Sequence, residues 1–282
     1  MAEECNHDCS SCGTTCGDDT RKQDLHEKPH ELSNIRHVVA VVSGKGGVGK
    51  SLVTGLMSVA MARKGCHVGI MDADITGPSI PKMFGVDAEI RGNQNGAYPV
   101  STAGGIDIVS MNLLLDNNTD PVVWRGPIIS GVVKQFWHDF IWNDIDYMFI
   151  DMPPGTGDVP LTVMQSIQLD GIIIVTSPQE RVSMIVEKAV KMAAAMNVPI
   201  LGIVENMSYF VCPDCGKKHE IFGDSKVEQA AKEFSIPNTA KIPIDPAITA
   251  MVDNGEVEYV SGEYISGLVD SLEKTLPLEE ET

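Results

Sequence analysis

A chain of 282 residues with 43% hydrophobic and 5% aromatic content has the length for one large α/β domain or two small ones, with a sizeable core. Its 21 Lys and Arg against 39 Asp and Glu give a formal charge of -18, a field that repels phosphate backbones and anionic lipid. No nucleic acid and no membrane is therefore expected as a partner. The start of the chain has neither a basic stretch nor an apolar one, and no run approaches the ~20 apolar residues of a membrane span, which points to a cytoplasmic protein. In that compartment thiols stay reduced, so the seven cysteines are read as metal ligands, reactive groups or core residues before disulfides.

Residues 1–34 are rich in Cys, His, Asp and Lys and show no period that could build a core, so they read as an appended tail. From Val38 onward, apolar β-branched runs alternate with helical patterns. The expected strands are Val38 to Val42, Val68 to Met71, Ile106 to Met111, Tyr147 to Ile150, Gly171 to Thr176, Ile200 to Val204 and Thr239 to Ile242. Strands so uniformly apolar are buried on both faces, and helices between them imply an α/β fold with a mostly parallel sheet and helices on both faces. Asp116 to Asn143 reads as a loop followed by a helix, with Pro127 suited to its first turn. The expected domain spans residues 35–277, ahead of an acidic terminus at 278–282.

The stretch Gly44-Lys45-Gly46-Gly47-Val48-Gly49-Lys50-Ser51 has the phosphate-loop spacing G-x-x-x-x-G-K-S between an expected strand and an expected helix. Such a turn converges backbone N–H groups on phosphate oxygens, and the helix N-terminus adds partial positive charge. Lys50 would hold the β and γ phosphates and Ser51 would bind Mg²⁺. Asp72 and Asp74 follow one buried strand and Asp151 another, so all three face the crevice of the phosphate loop. Any one of them alone would read as a helix cap. Together they suit the outer shell of an octahedral Mg²⁺ and the orientation of an attacking water. In "IDMPPGTGD", Asp151 precedes Gly155, whose amide could meet a γ phosphate, so the segment reads as a switch sensing ATP against ADP. The rigid Pro153-Pro154 pair would hold the loop's exit direction. Lys45, directly after the first glycine, is not explained by the loop itself.

Together, GKGGVGKS with its early lysine, DADITGPS and DMPPGTGD resemble the deviant-Walker P-loop ATPases, and specifically the Mrp/ApbC branch that carries iron–sulfur clusters. The resemblance covers about Ile35 to Leu272. It implies a face-to-face homodimer in which Lys45 reaches the partner's nucleotide, in the role of an arginine finger. It also implies catalytic roles for Lys45, Lys50 and Asp74, with Asp74 positioning water and Asp72 in the metal's outer shell. Asn206 in "VENMS" and Pro243 with Asp245 in "IPIDP" match the adenine site; without the resemblance they read equally as loop chemistry.

Cys212 and Cys215 form a C-x-x-C turn that lets two thiolates grip one metal but leaves a tetrahedral site half filled. A second copy could complete it. Half of a zinc knuckle and a thioredoxin-like redox pair are competing readings, the latter disfavoured because Gly216-Lys217-Lys218 does not start a helix. The resemblance implies that two such pairs hold one [4Fe–4S] cluster at the dimer interface. His219 reads as an exposed loop histidine and Cys66 as a small apolar residue. In the tail, Cys5, Cys9, Cys12 and Cys16 are spaced C-x₃-C-x₂-C-x₃-C, closer to a ferredoxin-type run than to the split pairs of zinc sites. Eukaryotic members of the scaffold type carry a four-cysteine N-terminal site with a longer first gap.

The expected function is an ATP-hydrolysing carrier or scaffold that assembles a [4Fe–4S] cluster and transfers it to iron–sulfur apoproteins. The alternative is a nucleotide-switched positioning or partition ATPase of the MinD/ParA type. The membrane-binding kind needs a basic amphipathic C-terminal helix and the DNA-binding kind a basic surface, and "LVDSLEKTLPLEEET" and the net charge oppose them.

Overall fold

The structure is a computed structural model, and it describes residues 26–75, 77, 79–114, 126–155, 157–178 and 182–278. The tail cysteines Cys5, Cys9, Cys12 and Cys16 and the end of the acidic terminus lie outside the described residues.

The first half of the chain holds β1 (Ile35–Ser43), α1 (Lys50–Arg63), β2 (Val68–Asp72) and α2 (Ile80–Met83). A hairpin follows, β3 (Arg91–Asn93) and β4 (Gly96–Tyr98), and then β5 (Val100–Ser101), β6 (Asp107–Val109) and α3 (Gly126–His138). The second half continues with β7 (Ile145–Asp151), α4 (Asp158–Ser166), β8 (Gly171–Thr176), α5 (Val182–Met196) and β9 (Ile200–Glu205). A small hairpin of β10 (Phe210–Val211) and β11 (Lys218–His219) precedes α6 (Val227–Glu233) and β12 (Thr239–Lys241). Helices α7 (Pro246–Asp253) and α8 (Ser266–Thr275) complete the domain.

Eight strands form one sheet in the order β12-β9-β8-β1-β7-β2-β6-β5, parallel except where β5 pairs antiparallel with β6 at the edge. Strand β1 sits in the middle, with Val41 opposite Asp151 of β7 on one side and Ile173 of β8 on the other. Its side chains alternate between two cores. Val38, Ala40 and Val42 pack with residues of α3 to α6, such as Phe136, Val163, Val186 and Val227. Val39 and Val41 pack with Leu56 and Met57 of α1 and Leu268 and Leu272 of α8. A strand buried on both faces has no position for a polar residue, which is why these segments read as unbroken apolar runs.

All seven expected strands are present, as β1, β2, β6, β7, β8, β9 and β12. The run Ile106 to Met111 is shorter than expected: β6 stops at Val109, the Ser110 hydroxyl turns to Asp72, and Met111 begins a 3₁₀ turn. The last residues of the expected tail, 26–34, lie against the domain. Glu27 N–H donates to the Ser166 carbonyl at 2.7 Å, the Trp137 indole donates to the Glu27 carbonyl at 2.9 Å, and the Glu27 carboxylate pairs with Lys134 and His138. Further along, the Ser33 hydroxyl accepts from Trp142 N–H at 2.8 Å. These ties run through polar and backbone groups, so they leave no hydrophobic period. No described helix is long and apolar enough to cross a membrane.

Candidate functional site

Between β1 and α1 the chain turns through Gly44 to Gly49. Gly47 and Gly49 adopt φ of 80° and 86°, the left-handed region that favours glycine. Gly49 is also packed too closely for any side chain: an added Cβ would lie 2.1 Å from Asn206 Nδ2. The amide of Asn206, just past β9, donates from Nδ2 to the Val48 carbonyl at 3.0 Å and so braces the loop from behind. No side chain caps the start of α1, which leaves its first N–H groups available to an anion.

Beneath the loop, Lys50 is only 5% exposed, with its ammonium 2.7 Å from Asp151 Oδ1 and 3.4 Å from Asp74 Oδ2. Asp151 also accepts from the Ser51 hydroxyl at 2.5 Å and from the Thr54 hydroxyl at 2.9 Å. Burial works against the Lys50 charge, yet Asp151, Asp74 and Asp72 together hold its pKa above the ordinary lysine value. Asp72 lies opposite Asp151 in the β2–β7 register, fully buried, accepting from the Ser110 hydroxyl at 2.9 Å and from Asp74 N–H at 3.2 Å. Burial, reinforced by the neighbouring Asp151 charge, pushes its carboxyl up to about 8. Ser51, Asp72 and Asp151 thus form an oxygen-rich set suited to a hard divalent cation such as Mg²⁺.

A cavity of about 390 Å³ opens over this cluster, and Lys45, Lys50, Ser51, Asp74 and Pro154 all reach it. Gly155 has φ of 92°, and its N–H donates to the Ser43 carbonyl at 2.8 Å. The amide expected to meet a γ phosphate is therefore engaged with the end of β1 in this conformation. Pro243 and Asp245 are not brought to this cavity. They line a second one, of about 470 Å³, with Phe210, Val211 and Pro213. Asp245 also caps α7, its Oδ1 accepting from Ala247 N–H at 2.8 Å.

The C-x-x-C turn closes the β10–β11 hairpin, in which Phe210 faces His219 and Val211 faces Lys218. Cys212 N–H donates to the Lys217 carbonyl at 3.0 Å, and Gly216 N–H donates to the Cys212 carbonyl at 2.9 Å with Gly216 at φ of 69°. Backbone N–H groups of Cys215 and Asp214, with the Cys215 thiol, hold the Cys212 thiol below its ordinary pKa. That favours the thiolate a metal requires. Cys215 is exposed, and among the described residues no cluster of three or more His, Cys, Asp or Glu could hold a metal ion, so His219 adds no third ligand to such a site. Cys66 is half-buried; burial, with Asp146 and Glu273 nearby, raises its thiol.

Five residues connect the loop brace to the thiols, and most of them are tied down. Ser208 donates from Oγ to the buried Glu205 carboxylate at 2.6 Å and from N–H to the Ile242 carbonyl at 2.9 Å. Ile244 N–H donates to the Tyr209 carbonyl at 2.7 Å, and Phe210 bridges to Ile244. Thr54, Ser110 and Glu205 were not singled out from sequence. Thr54 carries a signal, standing one helical turn after Ser51 on the same face; the other two depend on how strands lie side by side.

The family profile described as ParA: NUBPL iron-transfer P-loop NTPase matches residues 34–274. An iron-sulfur cluster carrier protein of Clostridium perfringens is 46% identical over 245 residues, 84% of this chain and 86% of that one. The nucleotide-binding protein of Archaeoglobus fulgidus, solved in complex with ADP, superposes with a TM-score of 0.76 at 40% identity, over 88% of this chain and 95% of that one. The cell division ATPase MinD of Pyrococcus furiosus shares the fold alone, with a TM-score of 0.57 at 21% identity over 85% and 99% of the two chains. A phosphate loop whose lysine is held by strand-end carboxylates, a sheet of this order and relatives of this similarity agree: the chain belongs to the NUBPL iron-transfer family of P-loop NTPases.

Proposed function

We propose that this protein is a cytoplasmic ATPase that carries iron–sulfur clusters, assembling a [4Fe–4S] cluster between two copies of the chain and transferring it to apoproteins. The observation that carries this reading is the C-x-x-C hairpin: a Cys212 thiol held toward its thiolate form and an exposed Cys215 in the same turn, with no third ligand beside them among the described residues. A second hairpin supplies the missing pair, so cluster and dimer form together.

In the ATPase half, Lys50 leaves its carboxylate partners to hold the β and γ phosphates. Ser51, Asp72 and Asp151 would hold Mg²⁺, which would neutralise the phosphate charge. Asp74, at the mouth of the cavity, orients the attacking water, and Lys45 of each copy stabilises the transition state in the other. Gly155 exchanges its bond to Ser43 for the γ phosphate, which lets the 151–155 segment distinguish ATP from ADP. Asn206 lies beside the nucleotide, whose base extends past it, out of the phosphate cavity, toward the second cavity where Pro243 and Asp245 stand. The tail residues Cys5, Cys9, Cys12 and Cys16 hold a second cluster in one chain. The positioning-ATPase reading rests on fold alone, and the charge of -18 opposes binding to DNA or anionic membrane.

The test is anaerobic reconstitution followed by iron, sulfide and zinc analysis and measurement of mass in solution. Cys215→Ala is expected to lose the bridging cluster and weaken the dimer together. A monomer with a full metal complement at Cys212 and Cys215 would overturn the reading.

A further inference from the structure

The interior of the phosphate site is not positive. Lys50 is the only lysine within it among the described residues, and Asp151 at 2.7 Å and Asp74 at 3.4 Å more than balance its charge. A nucleoside triphosphate entering such a site needs cations from the walls of the cavity, beyond what the loop amides provide. Lys45 is one. The other lysine on the cavity wall is Lys82 of α2, which no sequence motif had marked.

Its surroundings set it apart from a solvated surface lysine. Helix α2 is a single short turn whose Ile80, Pro81 and Met83 are buried, leaving Lys82 as its exposed residue. The backbone beneath is pinned: the Lys82 carbonyl accepts from Gly85 N–H at 3.1 Å and packs against Gly255, where an added Cβ would lie 3.2 Å from it. Among the described residues the Lys82 ammonium has no hydrogen bond and no ion pair, although Asp253 lines the same cavity. The chain carries 39 acids against 21 Lys and Arg, so a cleft lysine that no carboxylate pairs among the described residues is unusual here and leaves its charge for a ligand. It stands eight residues after Asp74, on the segment that also delivers Asp72.

We propose that Lys82 is a specificity-determining residue of the nucleotide site, a mobile cation on a rigid base that engages the outer phosphate of a nucleoside triphosphate and sets the preference for tri- over diphosphate. The inference rests on the reading of this cavity as the nucleotide site. A lysine tip has the reach and rotational freedom to follow a phosphate that a backbone amide lacks. Because the triphosphate carries one phosphoryl group more, a wall cation that meets it favours ATP over ADP instead of strengthening both alike.

The experiment compares MgATP and MgADP affinities for the full-length protein, Lys82→Gln and Lys82→Arg, at low and high salt, with thermal unfolding of each nucleotide-free protein to confirm folding. Lys82→Gln is expected to weaken MgATP about tenfold and MgADP less than about threefold, the scale of one charge-assisted contact against a screened field. Lys82→Arg is expected to restore the preference, and the salt dependence of MgATP binding should flatten in Lys82→Gln. Equal losses for both nucleotides, or none, overturn the role of Lys82 while leaving the nucleotide reading intact. Wild-type protein that binds neither nucleotide overturns that reading, and the Lys82 inference with it.

Discussion

The side chain of Asn206 donates to the carbonyl of Val48 at 3.0 Å, and the same amide nitrogen occupies the space where any residue other than glycine at position 49 would place its Cβ. One contact thus sets both the position of the phosphate loop and the residue type it tolerates. Gly49→Ala is expected to lose nucleotide binding and to destabilise the fold by more than the roughly 1–2 kcal/mol of a left-handed backbone alone, because it also displaces Asn206. Asn206→Ala should cost about 1–3 kcal/mol through the unpaired Val48 carbonyl. In a double-mutant cycle by thermal unfolding the double mutant should cost less than the sum of the two single mutants, since the clash needs both residues. Strict additivity would show that the loop relaxes away from Asn206.

Lys50 and Lys45 should separate cleanly. Lys50→Ala removes one partner of a buried pair and leaves Asp151 with only hydroxyl donors, a change on the order of 3–5 kcal/mol in stability with loss of ATP binding. Lys45→Ala is expected to keep the fold and much of the ATP affinity while abolishing turnover. Equilibrium binding and phosphate release measured on both variants check this, and matching affinity losses would count against a role for Lys45 across the dimer.

Two carboxyls give the nucleotide-free protein opposite pH responses. Asp72 titrates at about 8 when folded against 3.8 as its ordinary value, so folding takes up a proton between those limits and this group's contribution to stability falls as pH rises from about 4 to 8. Glu27 is held below 4.5 by its bonds to Lys134 and His138; its contribution is present above that value and is lost as pH falls through the lowered one. In EDTA, Asp72→Asn should gain stability over wild type at pH 8 and lose that advantage at pH 5. Glu27→Gln should converge with wild type only in acid.

The contacts of residues 26–34 make a sharp truncation test. Removing residues 1–25 should leave unfolding of the domain unchanged, whereas removing 1–34 cuts the bonds from Glu27 and Ser33 to Ser166, Trp137 and Trp142, each worth roughly 1 kcal/mol. A measurable fall in Tm is expected for the longer deletion only. Equal Tm values would mean that the 26–34 segment rests on the domain without stabilising it.

What could be read in advance divides along physical lines. The seven parallel strands of the sheet were legible because burial on both faces leaves little room for polar residues, as β8 shows with Gly171 to Thr176 entirely buried. Gly44 to Ser51, Asp72, Asp74 and Asp151 were legible because phosphate and metal chemistry constrains residue types at set spacings. Strands β3, β5 and β11 were not, since Arg91 to Asn93 and Lys218 to His219 are exposed and pair through backbone bonds that any residue can make. The docking of Glu27 depends on Lys134 and His138, more than a hundred residues away, and Ser110 meets Asp72 only because β6 lies beside β2. Lys82 belongs to this second class: its significance is its neighbourhood.

The tether from Asn206 to Cys212 has a consequence for how the gene can change. Six residue steps span at most about 22 Å, and the bonds of Ser208, Tyr209 and Phe210 to Glu205, Ile242 and Ile244 hold each step in register. One inserted residue would break these bonds and could move the thiols by up to about 3.6 Å relative to the phosphate loop. The exposed tip of the β3–β4 hairpin, Gln94 and Asn95, can lengthen without disturbing either site. Among sequences descended from this one, insertions and deletions should therefore accumulate at that tip and stay out of 206–212, however freely the individual residues there are exchanged.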